Sequence, residues 1–294
     1  MQSNSKQHLG TETSAENSSA DAQSLTVEQA IANLRQREDL GARYYAAWWL
    51  GKFRVSEPEA IDALLIALED EKDRAPDGGY PLRRNAARAL GKLGDTRAVP
   101  PLIRCLQFPD FYVREAAAQA LEMLSGAAAP AKRDRRCIPP LRQLLDGGVE
   151  AATQVPGKPH LVQPYEAVIE ALGTLEATEA IPQIEPFVEH PVAKVKYAAA
   201  RAMYQLTGDS LYGEMLVEAL RGDDLQLRRS ALMDLGAVGY LSASEAIAET
   251  LAENSMKLIA LKGLLEREIA RHSRESLIVS EESIQVMNLM DSLL

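Results

Sequence analysis

Cysteine, aromatic residues and positive charge are all in short supply in this chain. Only two cysteines, Cys105 and Cys137, occur in 294 residues, with no paired motif around either. That argues against a disulfide framework or a structural zinc site and suits a reducing compartment. Aromatics make up 5% of the residues, while alanine and leucine dominate, a balance that favours packed helices over a sandwich or barrel. Acidic residues outnumber basic ones by 42 to 32, for a formal net charge of −10. A nucleic-acid binder carries the opposite surplus, so DNA and RNA are not expected as main partners. No apolar run approaches the roughly 18 residues that span a bilayer. Residues 1–24 are rich in Ser, Gln and Asn, lack the apolar and basic regions of a signal peptide, and read as a disordered lead-in. The expectation is a soluble, cytoplasmic chain long enough to bury a sizeable core. Catalytic signatures are missing too: there is no Gly-rich phosphate loop, nucleophile elbow, HExxH pair or EF-hand loop. The four histidines, His8, His160, His190 and His272, are scattered without ligand-like spacing, so no metal site is expected.

What the chain has in abundance is one helix, repeated. Arg83-Arg84-Asn85-Ala86-Ala87-Arg88-Ala89-Leu90-Gly91 has counterparts at residues 43–51, 114–121, 165–173, 196–203, 228–236 and 257–264. Aligned on the last core residue, Leu50, Leu90, Leu121, Leu172, Met203, Leu235 and Leu264 form one column, with successive separations of 40, 31, 51, 31, 32 and 29 residues. A basic period of about 31 residues lies in the range of stacked helix pairs. Alanines in the aligned helix let neighbours approach, and leucines at helical spacing supply a buried stripe. Gly94-Asp95 and Gly208-Asp209 mark helix ends, where glycine takes the left-handed conformation freely. The pattern predicts an all-α, HEAT-like right-handed solenoid of about six to seven helix pairs over 25–275, closed by a helical segment at 276–294. Seven residues before each column position stands a base (Arg43, Arg83, Arg114, Lys196, Arg228, Lys257), with Tyr165 the exception. Asp110 precedes Arg114 and Asp224 precedes Arg228, so an inter-repeat ladder of Asp–Arg contacts is the expected use of this row.

Two separations exceed the period, by 9 and by 20 residues. The first excess falls in 69–81 and the second between Ser125 and Tyr165. Insertions in solenoids map to loops on one edge, often the binding edge. Each ends in Tyr and Pro beside the start of a second helix, which points it toward the inner face; a tolerated surface loop is the competing reading. The first repeat is also unusual, placing Tyr44, Tyr45, Trp48 and Trp49 on one helix. Adjacent helical residues point about 100° apart, so the four rings cannot all face the core. Tyr44 with Trp48 shares one face and Tyr45 with Trp49 another. One pair caps the core, and the other covers a surface, meets a partner or stacks on a flat ligand.

The stretches Tyr44-Tyr45-Ala46-Ala47-Trp48-Trp49-Leu50-Gly51, Pro76-Asp77-Gly78-Gly79-Tyr80-Pro81 and Gly157-Lys158-Pro159-His160-Leu161-Val162-Gln163-Pro164-Tyr165, with residues 224–236 and 289–294, resemble the E subunits of cyanobacterial phycocyanobilin lyases of the E/F type. The similarity runs from about Leu25 to the last residue and lies largely outside the repeat columns. It implies a carbon–sulfur lyase that works as a heterodimer with an F subunit, itself HEAT-like. The pair attaches phycocyanobilin to one cysteine of the apo-phycocyanin α subunit, and can detach or transfer it. The bond is a thioether, formed when the thiolate adds to the ethylidene carbon of ring A. The bilin is the substrate, and no metal or redox cofactor is implied.

A bilin is a long conjugated tetrapyrrole with two propionates and a row of pyrrole N–H groups. It needs aromatic walls, arginines for its carboxylates and a carboxylate for its nitrogens. On that logic Arg43, Arg83 and Arg84 are propionate candidates, and Tyr44, Trp48, Trp49 and Tyr80 are candidates for the wall. His160 and Tyr165 are proton-transfer candidates, and Asp77 is a partner for the nitrogens. Three alternatives stand beside this reading: a non-catalytic scaffold that docks the apo-phycobiliprotein for its partner subunit, a lyase for a related bilin or phycobiliprotein, and a more distant HEAT-repeat scaffold.

Overall fold

The computed structural model describes residues 25–76, 78–127, 133–271 and 280–294. The predicted N-terminal lead-in lies outside them. Helices α1 (Val27–Arg35) and α2 (Leu40–Lys52) form a first pair, α3 (Pro58–Leu68) and α4 (Pro81–Leu93) a second, and α5 (Val99–Cys105) and α6 (Phe111–Ala127) a third. The fourth consists of α7 (Ile138–Gln143), the single turn α8 (Gly148–Ala151) and α9 (Tyr165–Thr174). Next come α10 (Ile181–Ile184) with α11 (Ala193–Thr207), α12 (Ser210–Arg221) with α13 (Leu225–Val238), and α14 (Ser244–Glu249) with α15 (Asn254–Arg271). Helix α16 (Glu281–Ser292) closes the stack by packing on α14 and α15. This is the all-α HEAT-like solenoid that the period predicts. No helix among the described residues is long and apolar enough to cross a membrane.

Local chemistry explains where the helices start and stop. Thr26 and Gln29 form a capping box on α1, and Asp39 accepts the Ala42 N–H at the start of α2. Pro58 and Pro81 occupy the first positions of α3 and α4, where a missing N–H costs nothing. Gly94 and Gly208 end α4 and α11 with φ of 77° and 72°, as their sequence positions predict. The seven column residues are all buried. Each such leucine contributes about 1.5–3 kcal/mol through the apolar surface it removes from water.

The second helices of successive pairs stack on one another: α2 on α4, α4 on α6, α6 on α9, α9 on α11, α11 on α13 and α13 on α15. Four of them carry glycine immediately after the column leucine, and there the next backbone comes very close. A Cβ added at Gly91 would lie 2.7 Å from Ala120 Cα, and one at Gly173 2.9 Å from Ala202 Cα. Gly51 meets Ala89, and Gly236 meets Ala260, in the same way.

The basic row does something other than the predicted Asp–Arg ladder. Arg114 donates to the carbonyls of Phe108, Pro109 and Val162. Arg228 donates to Gly222 and Leu251 carbonyls, and Lys257 to that of Ala248. The acids preceding them are spent on caps: Asp110 accepts from the Val113 N–H, and Asp224 from Gln226 and Leu227. Among the described residues only Arg43 follows the ladder, reaching Asp70 at 2.8 Å and Asp73 at 3.4 Å. A cation that staples loop carbonyls satisfies backbone groups that a buried turn would otherwise leave unpaired, which is worth more than a surface ion pair.

Gly91→Ala gains about 1 kcal/mol of helix propensity yet forces α4 and α6 apart, so a net loss of about 1–3 kcal/mol is expected in urea unfolding. Gly126→Ala is the control: its Cβ meets only Thr174 Cγ2 at 3.6 Å, and its stability should be equal to or above that of the parent.

Candidate functional site

The two insertions fold into small, specific structures. In the first, the Ala75 carbonyl accepts from Gly78 N–H, the Ala75 N–H donates to Gly79, and Gly78 takes a φ of 92°. In the second, residues 153–162 form a hairpin. Gln154 and Leu161 make an antiparallel bridge, Val155 N–H donates to His160 and Val162 N–H to Thr153. Gly157, with φ of 73°, permits the reversal. Arg114 then ties this hairpin to the start of α6 through the Val162 carbonyl, at 2.9 Å.

Together they enclose a cleft of about 770 Å³ over the N-termini of α4 and α6. Four cations line it, Arg74, Arg84, Arg114 and Lys158, against one described acid, Asp110, whose carboxylate caps α6. Arg114 is spent on its carbonyl staples. Arg74, Arg84 and Lys158 pair with no carboxylate among the described residues. Instead Arg74 lies 5.8 Å over the Tyr80 ring and Arg84 5.8 Å over that of Tyr112, and the Arg84 Nε is buried without a hydrogen-bond partner. Rings form the remaining wall. His160 stacks on Phe111 at 4.1 Å with planes 10° apart, and Tyr112 meets its edge at 5.6 Å. Tyr80 packs edge-on against Phe108 at 4.7 Å.

A second cleft, of about 440 Å³, shares Phe111, Tyr112, Pro159 and His160 with the first and continues along the stacked helices. Its polar lining includes Arg88, Glu115, Gln119, Glu166 and Lys194, and Glu166 and Lys194 lead on into a third hollow with Glu170, Tyr197 and Asp234. These residues follow the repeat. Positions six and two before the column residue read Tyr44 and Trp48, then Arg84 and Arg88, Glu115 and Gln119, Glu166 and Glu170, Tyr197 and Arg201. One register thus makes a strip that changes from aromatic to basic to acidic along the solenoid.

At the acidic end, Arg201 bridges three other repeats. It pairs with Glu122 at 2.8 Å, Glu170 at 3.3 Å and Asp234 at 3.6 Å. Three carboxylates on one guanidinium cannot all ionise cheaply in a buried place. Burial pushes the Glu170 carboxyl up to about 8 and that of Asp234 up to about 6, both against the pull of Arg201.

The predicted site residues separate into two groups. Arg84, Tyr80 and His160 come together in the first cleft. Tyr44 and Trp48 lie in the same register, exposed, one repeat away. Trp49 is partly buried against Phe53 at 4.8 Å. Arg43 is withdrawn from any ligand role, because it is buried on Asp70, Asp73 and the Leu34 carbonyl. Arg83 is likewise only 6% exposed, 4.2 Å over the Phe108 ring and 3.8 Å from Glu71. Tyr165 is buried against Phe187 at 5.3 Å, and burial raises its hydroxyl, which makes it a packing residue of α9. Asp77 lies outside the described residues. Both cysteines are free and buried, and burial pushes the Cys137 thiol up to about 12, leaving it inert at neutral pH. Sequence reasoning missed Phe111, Tyr112, Arg74 and Lys158. One signal was present: Phe111 stands ten residues before its column leucine, as Tyr80 does before Leu90.

A helical solenoid with a ligand-sized cleft between repeat insertions defines the class, that of HEAT-repeat proteins. A model of HEAT repeats matches residues 75–152, and one of PBS lyase HEAT-like repeats matches residues 42–70. The chain is 66% identical over 270 residues to the phycocyanobilin lyase subunit alpha of a Nostoc species, covering 92% of this chain and 94% of the relative. To its namesake from a Picosynechococcus species it is 61% identical over 273 residues, covering 93% and 98%. It also matches a chain in the solved complex of CpcE and CpcF of phycocyanin lyase from Nostoc with a TM-score of 0.84 and 62% identity, covering 98% of this chain and all of that one. The chain belongs to the phycocyanobilin lyase alpha-subunit family.

The acidic node generates a pH prediction. Glu170 and Asp234 are raised above their ordinary values of 4.5 and 3.8, so between these values and the raised ones the folded chain holds protons that the unfolded chain has released. The stabilisation is present at low pH and declines as pH rises through about 8. From pH 6 to 9 a loss of about 1–3 kcal/mol is expected, read as a falling Tm. Glu170→Gln, which cannot ionise, should flatten that decline.

Proposed function

We propose that this chain is the E-type subunit of a heterodimeric phycocyanobilin lyase and that the cleft between its insertions holds the bilin. Family membership supports the activity, and the relative solved in complex with CpcF supports a paired F-type subunit. The observation that carries the placement is the lining. A volume within the range for organic ligands combines aromatic walls with cations that have no described carboxylate partner. Half-buried Arg84 and exposed Lys158 suit the two propionates, since charge-assisted bonds to carboxylates are roughly twice as strong as neutral ones. Tyr80, Tyr112 and Phe111 supply flat apolar surface for the pyrrole rings. Asp77, beside this cleft in sequence, is the proposed partner for the pyrrole nitrogens.

The reaction attaches the bilin to a cysteine of the phycocyanin α subunit through a thioether, and its reverse detaches it. Addition of a thiol across a carbon–carbon double bond is redox-neutral, so the bilin enters as substrate and no oxidant or reductant is consumed. The protein's contribution is to hold the bilin extended and oriented beside the acceptor, which replaces a bimolecular encounter with a positioned one.

The test uses the assembled heterodimer, with bilin binding followed by absorbance and attachment to the apo-α subunit by zinc-stained denaturing gel. Arg84→Gln combined with Lys158→Gln should weaken bilin binding at least tenfold and reduce attachment in parallel. Unchanged binding, or full binding by the F-type subunit alone, would reject this cleft as the bilin site.

A further inference from the structure

His160 occupies the wall shared by the two neighbouring clefts, and its geometry is more constrained than a surface histidine requires. Its Nδ1 lies 2.8 Å from the Leu161 carbonyl oxygen. A carbonyl only accepts, so Nδ1 must carry the hydrogen and donate it. That assigns the tautomer: in the neutral ring Nε2 holds the free lone pair. The ring plane is set by Phe111, stacked at 4.1 Å and 10°, and by Tyr112, nearly perpendicular at 5.6 Å. The backbone is set by the hairpin bond from Val155 N–H to the His160 carbonyl at 3.1 Å. Hairpin, carbonyl and stacked ring together hold the imidazole in one orientation, with its basic nitrogen on the edge opposite the bonded one. Such a tautomer-fixing contact to a carbonyl is how a histidine is prepared to accept a proton.

What lies on either side gives that nitrogen a task. The first cleft is cationic and aromatic, and the second is polar, with Glu115, Gln119, Glu166 and Lys194. The first suits a flat dianion and the second a peptide segment, so the two reactants meet at their shared wall. We infer that His160 is the base that takes the acceptor thiol proton on Nε2, at the junction where bilin and acceptor segment meet, and that Phe111 is its positioning residue. The inference rests on the first cleft being the bilin site. In the step, the S–H bond breaks and its proton moves to Nε2. The sulfur lone pair forms the S–C bond to the ethylidene carbon, and the electron pair of the C=C bond moves to the adjacent ring-A carbon. That carbon takes one proton from the imidazolium, which returns to neutral, and no oxidant or reductant is consumed. Ring A must therefore face His160, and the acceptor must enter along the strip from the Glu166 side.

The experiment compares bilin affinity and the pH–rate profile of attachment for assembled heterodimers carrying His160→Gln, Phe111→Leu or Phe111→Tyr. His160→Gln should bind bilin within about threefold of the parent yet attach it at least 100-fold more slowly, with the acid limb of the pH profile lost. Phe111→Leu should slow attachment about tenfold more than it weakens bilin binding, while Phe111→Tyr, which keeps the stacked ring, should restore the rate. A parental rate and pH profile in His160→Gln would overturn the inference. So would equal losses of binding and rate, which would make His160 only part of the wall. Parental bilin binding in the Arg84/Lys158 double variant would instead remove the cleft beneath it, and the separate binding measurement distinguishes that failure from the others.

Discussion

At four of the six junctions between successive second helices a β-carbon has no room between the backbones, and the register of the groove depends on that approach. Gly51 against Ala89, Gly91 against Ala120, Gly173 against Ala202 and Gly236 against Ala260 bring backbone to backbone. Such contact leaves little freedom to slide or rotate, because a shift of one residue would drive a side chain into the neighbouring main chain. The rotational setting of each helix is therefore inherited by the next. The positions six and two before the column residue fall on one continuous strip, and the insertions always enter from the same end of the helix.

On that scaffold the chemistry is distributed by repeat. The first repeat contributes exposed rings, the second arginines, the third and fourth carboxylates, and the fifth a tyrosine and the arginine that gathers Glu122, Glu170 and Asp234 from the third, fourth and sixth. The charge change along the strip separates two kinds of ligand surface within one groove. A dianionic, planar molecule is favoured near Arg84 and disfavoured beside the carboxyl-lined stretch that begins at Glu115 and Glu166, which gives it a direction. The insertions flank the basic end, where Arg114 joins the second of them to the start of α6 through the Val162 carbonyl.

Much of this was legible before any coordinates. The period, the column of leucines and the glycine–aspartate helix ends predicted the solenoid, because core spacing and end chemistry are local properties that each repeat restates. The two excess separations marked the insertions, and Tyr80, at the end of the first, does line the cleft. The basic row was misread, since Arg43, Arg83 and Arg114 share a register but differ in use. Whether an arginine meets a carbonyl, a ring or a ligand depends on the loop that folds over it, and loop conformation carries no period. Tyr165 went the same way: adjacent to an insertion in the chain, it turns inward because its position in the repeat is the one that faces the loops, and Phe187 waits there.

Periodicity and composition, then, sufficed for the class of fold, the number of repeats and the places where the repeat is interrupted. They sufficed because the solenoid is a sum of neighbour contacts, each written in about 31 residues. The cleft needed the folded chain. Phe111, Tyr112 and Arg84 belong to the helices, Arg74 to one insertion and Lys158 and His160 to another, and no spacing in the sequence relates them. Their meeting depends on how two irregular loops cross above two helix ends, which is set by carbonyl staples and turn glycines. So too with the imidazole of His160, whose free nitrogen is decided by a single backbone oxygen at 2.8 Å.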